Sequence, residues 1–315
     1  MKKRILTGII LAGTVAVTTG LAGCGGGAQP TRQAVTKDSL LEKAADTFAS
    51  MESVDADLDI NMFVKMSSTG FNMEIKNNSE MEIEGCNDGS SHVKGHLNLS
   101  AIGQEKDADF EMYTVKEGDE LIKYSKTTES GNEGVWTYTK TGDYTLGTAE
   151  EFDTSRISEA VQKLQNALSE LKLHEGTIDY NNVNCYLMDG TISGKKLAQV
   201  MGETVTDMDK TTLESYKMLD FDTSLYFRSS DETPYAIVID MGKAIEKLIA
   251  SQSDQMQGMN MDISAEDMKI SIILNSLNDV KEISVPGEVK NSAIESTEAF
   301  NMQDIMGIYG QYGLL

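Results

Sequence analysis

Histidine, cysteine and proline are nearly missing from this chain: 315 residues hold three of each, with a single tryptophan. With only His92, His96 and His174, mechanisms that set a histidine base beside a nucleophile run short of parts. No H-E-x-x-H, G-x-S-x-G or paired C-x-x-C is present. The expectation is a protein that is not an enzyme and carries no cofactor. Cations are also scarce, with 27 Lys and Arg against 50 Asp and Glu and a formal charge of −23. Phosphate backbones need clustered Lys and Arg, so the balance argues against a nucleic-acid partner. Beyond the first residues no apolar run nears the roughly 20 residues that cross a bilayer. No Pro-rich or Ser-rich linker interrupts residues 40–290, and one continuous domain over residues 39–290 is the simplest organisation.

What is present begins at the N-terminus. Lys2, Lys3 and Arg4 precede an apolar run from Ile5 through Val17, followed by small residues and Leu21-Ala22-Gly23-Cys24. That order reads as a secretory signal peptide over residues 1–23. Its ending resembles a bacterial lipobox, which implies cleavage between Gly23 and Cys24 and acylation of Cys24. A diacylglyceryl-Cys24 would be a stable anchor on the extracytoplasmic face of the cell membrane. Residues 24–38, with Gly25-Gly26-Gly27, would form a flexible tether. The acidic body should stand off anionic headgroups. Cys86 and Cys185 could pair in such a compartment, or remain two buried thiols; spacing does not choose.

Along the body, Ser39-Leu40-Leu41-Glu42 fits a capping box, and Leu41, Ala44, Ala45, Phe48 and Met51 recur at helical spacing, which predicts a helix over about Leu40–Met51. The period then changes to two. Ala56, Leu58, Ile60, Met62, Val64 and Met66 alternate with polar residues. Phe71, Met73, Ile75, Met81 and Ile83 follow, then Val93, Leu97 and Leu99, and then Phe110 and Met112. This is a run of antiparallel strands with one apolar face. A second helix is predicted over Ser155–Leu173 from Ile157, Val161, Leu164, Leu168 and Leu171. Strands near Thr177–Tyr180 and Val183–Asp189 come next, then a hairpin of Ser224–Arg228 with Tyr235–Asp240. Lys269–Leu274 and Val280–Val285 are predicted as the last strands, ended by Pro286. Residues 291–315 read as a loosely ordered tail.

Several motifs imitate sites. Gly190 to Lys196 is one residue short of a phosphate loop and is better read as a strand-to-helix turn. Asp55, Asp57, Asp59 and Asn61 imitate a calcium loop, but Ile60 stands where glycine is needed, and in a strand they form a solvated acidic edge. His92 and His96 fall on one strand face roughly 13 Å apart, too far to share an ion. Met256, Met259, Met261 and Met268 lack Cys or His partners and read as adaptable packing, so no metal is expected.

The whole pattern from about Ser39 to Val289 resembles the LolA/LppX-like lipoprotein-carrier superfamily. The local pieces are Glu111-Met112-Tyr113 leading to Tyr124 and Trp136, the Leu225-Tyr226-Phe227-Arg228 to Pro234-Tyr235-Ala236 hairpin, and Asn278 to Pro286. The last resembles the closing strand of Gram-positive surface lipoproteins of this group. The resemblance implies an α+β fold, a curved antiparallel sheet forming an incomplete, half-open β-barrel wrapped over two main helices plus short helices. It also implies an apolar cavity for a lipid or acyl chain. The family defines its cavity by shape and transfers no residue. On the residues alone, the strand faces bearing Ile60, Met62, Val64, Phe71, Met73, Met81, Ile83, Leu97, Leu99, Phe110 and Met112 are too apolar to face water, and either pack directly on the helices or line such a cavity. The alternative is an envelope protein–protein interaction module without a ligand.

Overall fold

The computed structural model describes residues 35–141, 168–198, 217–247 and 261–296, apart from a few isolated positions. The signal peptide, Cys24 and most of the tether lie outside the described residues. In chain order the elements are helix α1 (Lys37–Ala49), strands β1 (Ser53–Ser68), β2 (Phe71–Cys86), β3 (Ser91–Ala101), β4 (Gln104–Glu117), β5 (Glu120–Glu129) and β6 (Thr137–Thr141). Then come β7 (Lys172–Leu173), β8 (Ile178–Tyr180), β9 (Val183–Ser193), β10 (Asp220–Arg228), β11 (Pro234–Asp240) and β12 (Met261–Leu277), and finally helix α2 (Gly287–Ser292) and β13 (Ile294–Glu295).

The chain divides into two compact units, one holding described residues 51–141 and 240–296, the other 35–50 and 168–239. The first unit is a long open sheet in the order β13-β6-β5-β4-β3-β2-β1-β12. Neighbouring strands are antiparallel except for β13, which runs parallel to β6. Strand β1 is internal. Along one side it pairs with β2 from Ser53↔Cys86 to Ser68↔Phe71. Along the other it pairs with β12 from Val54↔Leu277 to Ser68↔Met261, with irregularities at Asp55/Ala56 and Asn61/Phe63.

After β12 the chain runs back over the polar face of this sheet as a strap. Asn278 starts it: its Oδ1 accepts from the Glu52 and Ser53 amides (2.6 and 3.3 Å), and its own N–H donates to the Ser53 carbonyl. Ile283, Val285 and Val289 of the strap bury against Tyr113, Val115, Ile122 and Tyr124, with Cys86, Trp136 and Tyr138 around them. Lys290 reaches Glu117 at 2.6 Å, and β13 then closes on β6.

In the second unit the strand order is β11-β10-β9-β7, with β8 on β9. Leu40 and Leu41 of α1 join Leu171, Met188, Ile192, Leu225 and Phe227 in one apolar cluster. Strict alternation in β10 buries Phe221, Thr223, Leu225 and Phe227 and leaves the residues between them half-exposed.

The predicted α+β half-barrel wrapped over two main helices is overturned. Among the described residues strands dominate; α1 has 13 residues and α2 six, and further short helical stretches lie at 194–196 and 242–244. The physical reason is strand length: β1 and β2 run for 16 residues each and β12 for 17, so the apolar positions are spent on one broad sheet face. Most of the predicted Ser155–Leu173 helix lies outside the described residues, and its last two positions form β7. The predicted Val280–Val285 strand is the strap, which has no ladder partner. Pro286 is the N-cap of α2 and not the end of a strand. The first helix starts earlier than expected, with Thr36 and Ser39 bonding reciprocally as the capping box. Val35 packs on the cluster containing Leu40, five residues on, which staples that entry.

Candidate functional site

The residues placed on an apolar lining fall on one face of the long sheet. Ile60, Met62 and Val64 stand on β1; Phe71, Met73, Met81 and Ile83 on β2; Leu97 and Leu99 on β3; Phe110 and Met112 on β4. Register aligns them in cross-strand rows: Leu58 with Met81, then Gly95 and Phe110; Ile60 with Ser79, then Leu97 and Ala108; Ala56 with Ile83, then Val93 and Met112. Val64, Met73, Met81, Leu97, Leu99 and Phe110 are buried, whereas Ile60, Met62, Ile83 and Met112 keep part of their surface open. Phe71 belongs to this face by its position in the strand.

Two residues that the hydrophobic pattern passes over lie in the middle of this wall. Asn77 and Ser79 hold the same phase of β2 as Met73, Ile75 and Met81, and are 4% and 2% exposed. Met62 and Leu99 flank Asn77, and Ile60 and Leu97 flank Ser79. The Ser79 hydroxyl donates to Asn77 Oδ1 at 2.5 Å. Counting in steps of two from Phe71 finds both positions. Their polarity hid them from a search for apolar residues.

The opposite face carries charge. A groove of about 610 Å3 crosses β1 to β5, where Asp57, Asp59, Glu80, Glu82, Asp109 and Glu111 meet Lys94, Lys126 and His96. Lys94 pairs with Glu82 at 2.7 Å, and His96 Nδ1 meets Asp109 at 2.9 Å. Partial burial pushes the Asp59 carboxyl up, and the charges of Glu80 and Asp57 add to it. The Asp109 hydrogen bond raises His96 above the ordinary histidine value, with Asp107 and Asp109 charge assisting. One row further on, His92 lies between Glu84 (3.2 Å) and Glu111 (3.0 Å) and stacks on Tyr113 with ring centroids 4.2 Å apart. The Tyr113 hydroxyl donates to Glu111 at 2.8 Å; burial first, and then this bond, push its ionisation far upward.

The other sequence-level candidates resolve individually. Asp55, Asp57 and Asp59 share one face of β1, but that strand is central, so they belong to an internal polar face and not to a sheet edge. Asp55 accepts from Asn275 Nδ2 at 3.2 Å. His92 and His96 share a face of β3, each engaged by carboxylates from neighbouring strands. Gly190 is inside β9, and Lys196 pairs with Glu170 at 2.5 Å. Met256 and Met259 lie outside the described residues, whereas Met268 is buried. Cys86 and Cys185 are free thiols.

A family model described as a family of unknown function, DUF6612, matches residues 36–294. The chain belongs to the DUF6612 family. The DUF6612 region thus opens at Thr36, the N-cap of α1, and closes at Ile294 in β13, so that the strap and the polar pair of β2 are inside it. No curated protein matches the chain. Among solved structures it is similar to a β-barrel-like protein of the domain of unknown function DUF1849 from Brucella abortus, at 12% identity and a TM-score of 0.25, over 72% of this chain and 98% of that one. It is also similar to a DUF1329 family protein from Desulfovibrio piger, at 8% identity and a TM-score of 0.19, over 76% and 91% of the two chains.

Proposed function

We propose that this DUF6612 protein is a non-enzymatic lipoprotein, held by diacylglyceryl-Cys24 on the extracytoplasmic face of the cell membrane, which binds a hydrophobic ligand against the apolar face of its long sheet. The observation that carries the reading is the composition of that face. Four strands contribute a contiguous apolar wall, and Ile60, Met62, Ile83 and Met112 on it are only half-buried. Apolar surface left partly open is a binding resource, because its removal from water favours association by about 25 cal/mol per Å2. Methionines suit such a wall, since an unbranched thioether fits irregular partners. The resemblance to LolA/LppX-like carriers is compatible with this reading and supplies the lipid or acyl chain as ligand class. The lipobox supports the address.

The test uses the mature chain with Cys24→Ala, secreted by a membrane-containing host, and then organic extraction and mass spectrometry. A lipid or acyl compound recovered near one per protein is expected. A ligand-free protein that also fails to take up the neutral apolar fluorophore N-phenyl-1-naphthylamine would sink the proposal.

A second reading, docking to an envelope protein without a ligand, is favoured by the acidic groove on the opposite face, whose six carboxylates outnumber its cations. Crosslinking in the native envelope separates the two, because docking requires a recurrent protein neighbour joined through β2 to β4.

A further inference from the structure

Buried hydroxyls are bonded as a rule, because an unmatched one loses its water and gains nothing. Ser53, the first residue of β1, departs from that rule. It is 5% exposed, and among the described residues its Oγ is the one buried side-chain polar atom without a hydrogen-bond partner. The Ser53 N–H and C=O both turn to Asn278, and those of Cys86 opposite turn to Ser90 and Gly89. Ser53 and Cys86 are therefore a non-hydrogen-bonded pair, the close kind, with both side chains on one face. Cys86 and Val280 pack on the cluster that the strap covers. The orphan hydroxyl thus sits at the root of the strap, where the chain leaves Asn278.

Side chains hold the strap down, and no ladder does until β13. Residues 279–286 belong to no strand. The hold comes from Ile283, Val285 and Val289 and from the exposed Lys290–Glu117 pair at 2.6 Å. At its end the Ile294 and Ser296 amides donate to the Trp136 and Tyr138 carbonyls. The ladders that join β1 to β6 do not run through the strap. Beneath it lies more than an aliphatic core. Register aligns His92, Tyr113, Tyr124 and Tyr138 across four strands, and Trp136 leans on Tyr113 with ring centroids 5.9 Å apart. Aromatic rings with a polar end are the side chains that recognition surfaces favour.

We propose that residues 279–296 are a lid over this aromatic row. The lid lifts as one piece while β1 to β6 stay paired, and the Ser53 hydroxyl biases it toward opening because water can then reach that group. What the lid controls is access to Tyr113, Tyr124 and Trp136. It lies on the face opposite the apolar wall, so the proposal stands independently of the hydrophobic-ligand reading.

The Cys24→Ala chain carries its own reporters. Trp136 is the only tryptophan, and the Ile294 and Ser296 amides lose their acceptors when the lid lifts. Hydrogen exchange read by NMR should be about tenfold or more faster at these two amides than inside β3. Val285→Ser removes one apolar anchor. It should speed both amides about tenfold or more and increase acrylamide quenching of Trp136, with β3 unchanged. Ser53→Ala should slow the two amides about fivefold, again with β3 unchanged. If Val285→Ser speeds the Ile294, Ser296 and β3 amides by one common factor, strap and sheet open together and the lid is overturned. Unchanged rates at Ile294 and Ser296 in that variant overturn it too, since β13 then frays by itself. Unchanged rates in Ser53→Ala overturn the bias assigned to the hydroxyl. Should Val285→Ser not fold, Lys290→Ala, which removes only an exposed ion pair, takes its place with an expected gain of about twofold.

Discussion

Gly95 on β3 and Phe110 on β4 are direct cross-strand partners, and the phenyl ring occupies the space a side chain at residue 95 would need. A Cβ placed on Gly95 would lie 2.9 Å from Phe110 Cε1 and 2.4 Å from the Glu80 carbonyl oxygen. The second contact is with backbone, which cannot rotate away. Gly95→Ala is therefore expected to destabilise the sheet by about 1–3 kcal/mol through overpacking. Phe110→Ala leaves a cavity instead and should cost about 3–5 kcal/mol. Urea unfolding of both variants and of the double variant checks this. The double variant should lose less than the sum, because removing the ring relieves one of the two clashes.

Asp59 has a carboxyl pushed up by burial and by Glu80 and Asp57. A raised carboxylate is penalised in the folded state once it ionises, so the penalty is absent below the ordinary aspartate value and present above the raised one. Asp59→Asn should raise the Tm by about 1–3 °C at pH 7. At pH values below about 3.9, where both forms are uncharged, the gain should vanish. Differential scanning calorimetry across that range reads the effect, and equal Tm values at pH 7 would contradict it.

His96 gives the opposite slope. Its folded-state value is raised, chiefly by the Asp109 hydrogen bond. Its stabilisation is fully present below the unfolded histidine value of about 6.5 and is lost as pH climbs through the raised folded value. His96→Gln should lower the Tm at pH 6 and leave it unchanged at pH 9. The side chain is well exposed, so added salt should shrink the pH 6 difference.

The two body thiols differ in environment. Cys185 is fully buried, and burial raises its thiol. Cys86 is half-buried at the margin of the cluster under the strap. In the Cys24→Ala chain without reductant, a thiol-specific dye should count two thiols in denaturant. In the native protein Cys86 should react first and Cys185 only on unfolding, because the thiolate is the reactive form. A count of zero in denaturant would show that the thiols had paired.

Much of the long sheet is legible in the sequence because alternation is a local property. Leu58, Ile60, Met62 and Val64 announce β1 without knowledge of its neighbours. Position within the sheet is not local. Nothing near Asp55, Asp57 and Asp59 reveals that β12, more than 200 residues later, will make β1 a central strand. The strap deceives for the same reason. Val280, Ile283 and Val285 look like half a strand, but they are apolar because they lie on Tyr113 and Ile122, and no ladder is involved. At the helix start, Thr36 and Ser39 both qualify as caps on residue type. The choice falls to Thr36 because Val35 can then reach the cluster around Leu40. The apolar wall was readable, whereas its polar centre at Asn77 and Ser79 required counting the phase through residues that hydrophobicity ignores.

The pairing of β1 with β12 also sets the order in which the chain can be completed. Residues 53–68 are synthesised early, but their second partner is among the last segments to follow. Until then β1 is a 16-residue open edge with one greasy side, the kind of surface that recruits other chains. Holding the sheet unfinished until residues 261–296 arrive makes folding slow and dependent on distant contacts. A chain truncated before residue 261 should therefore be cleared or aggregate, even though every strand from β1 to β6 has been synthesised.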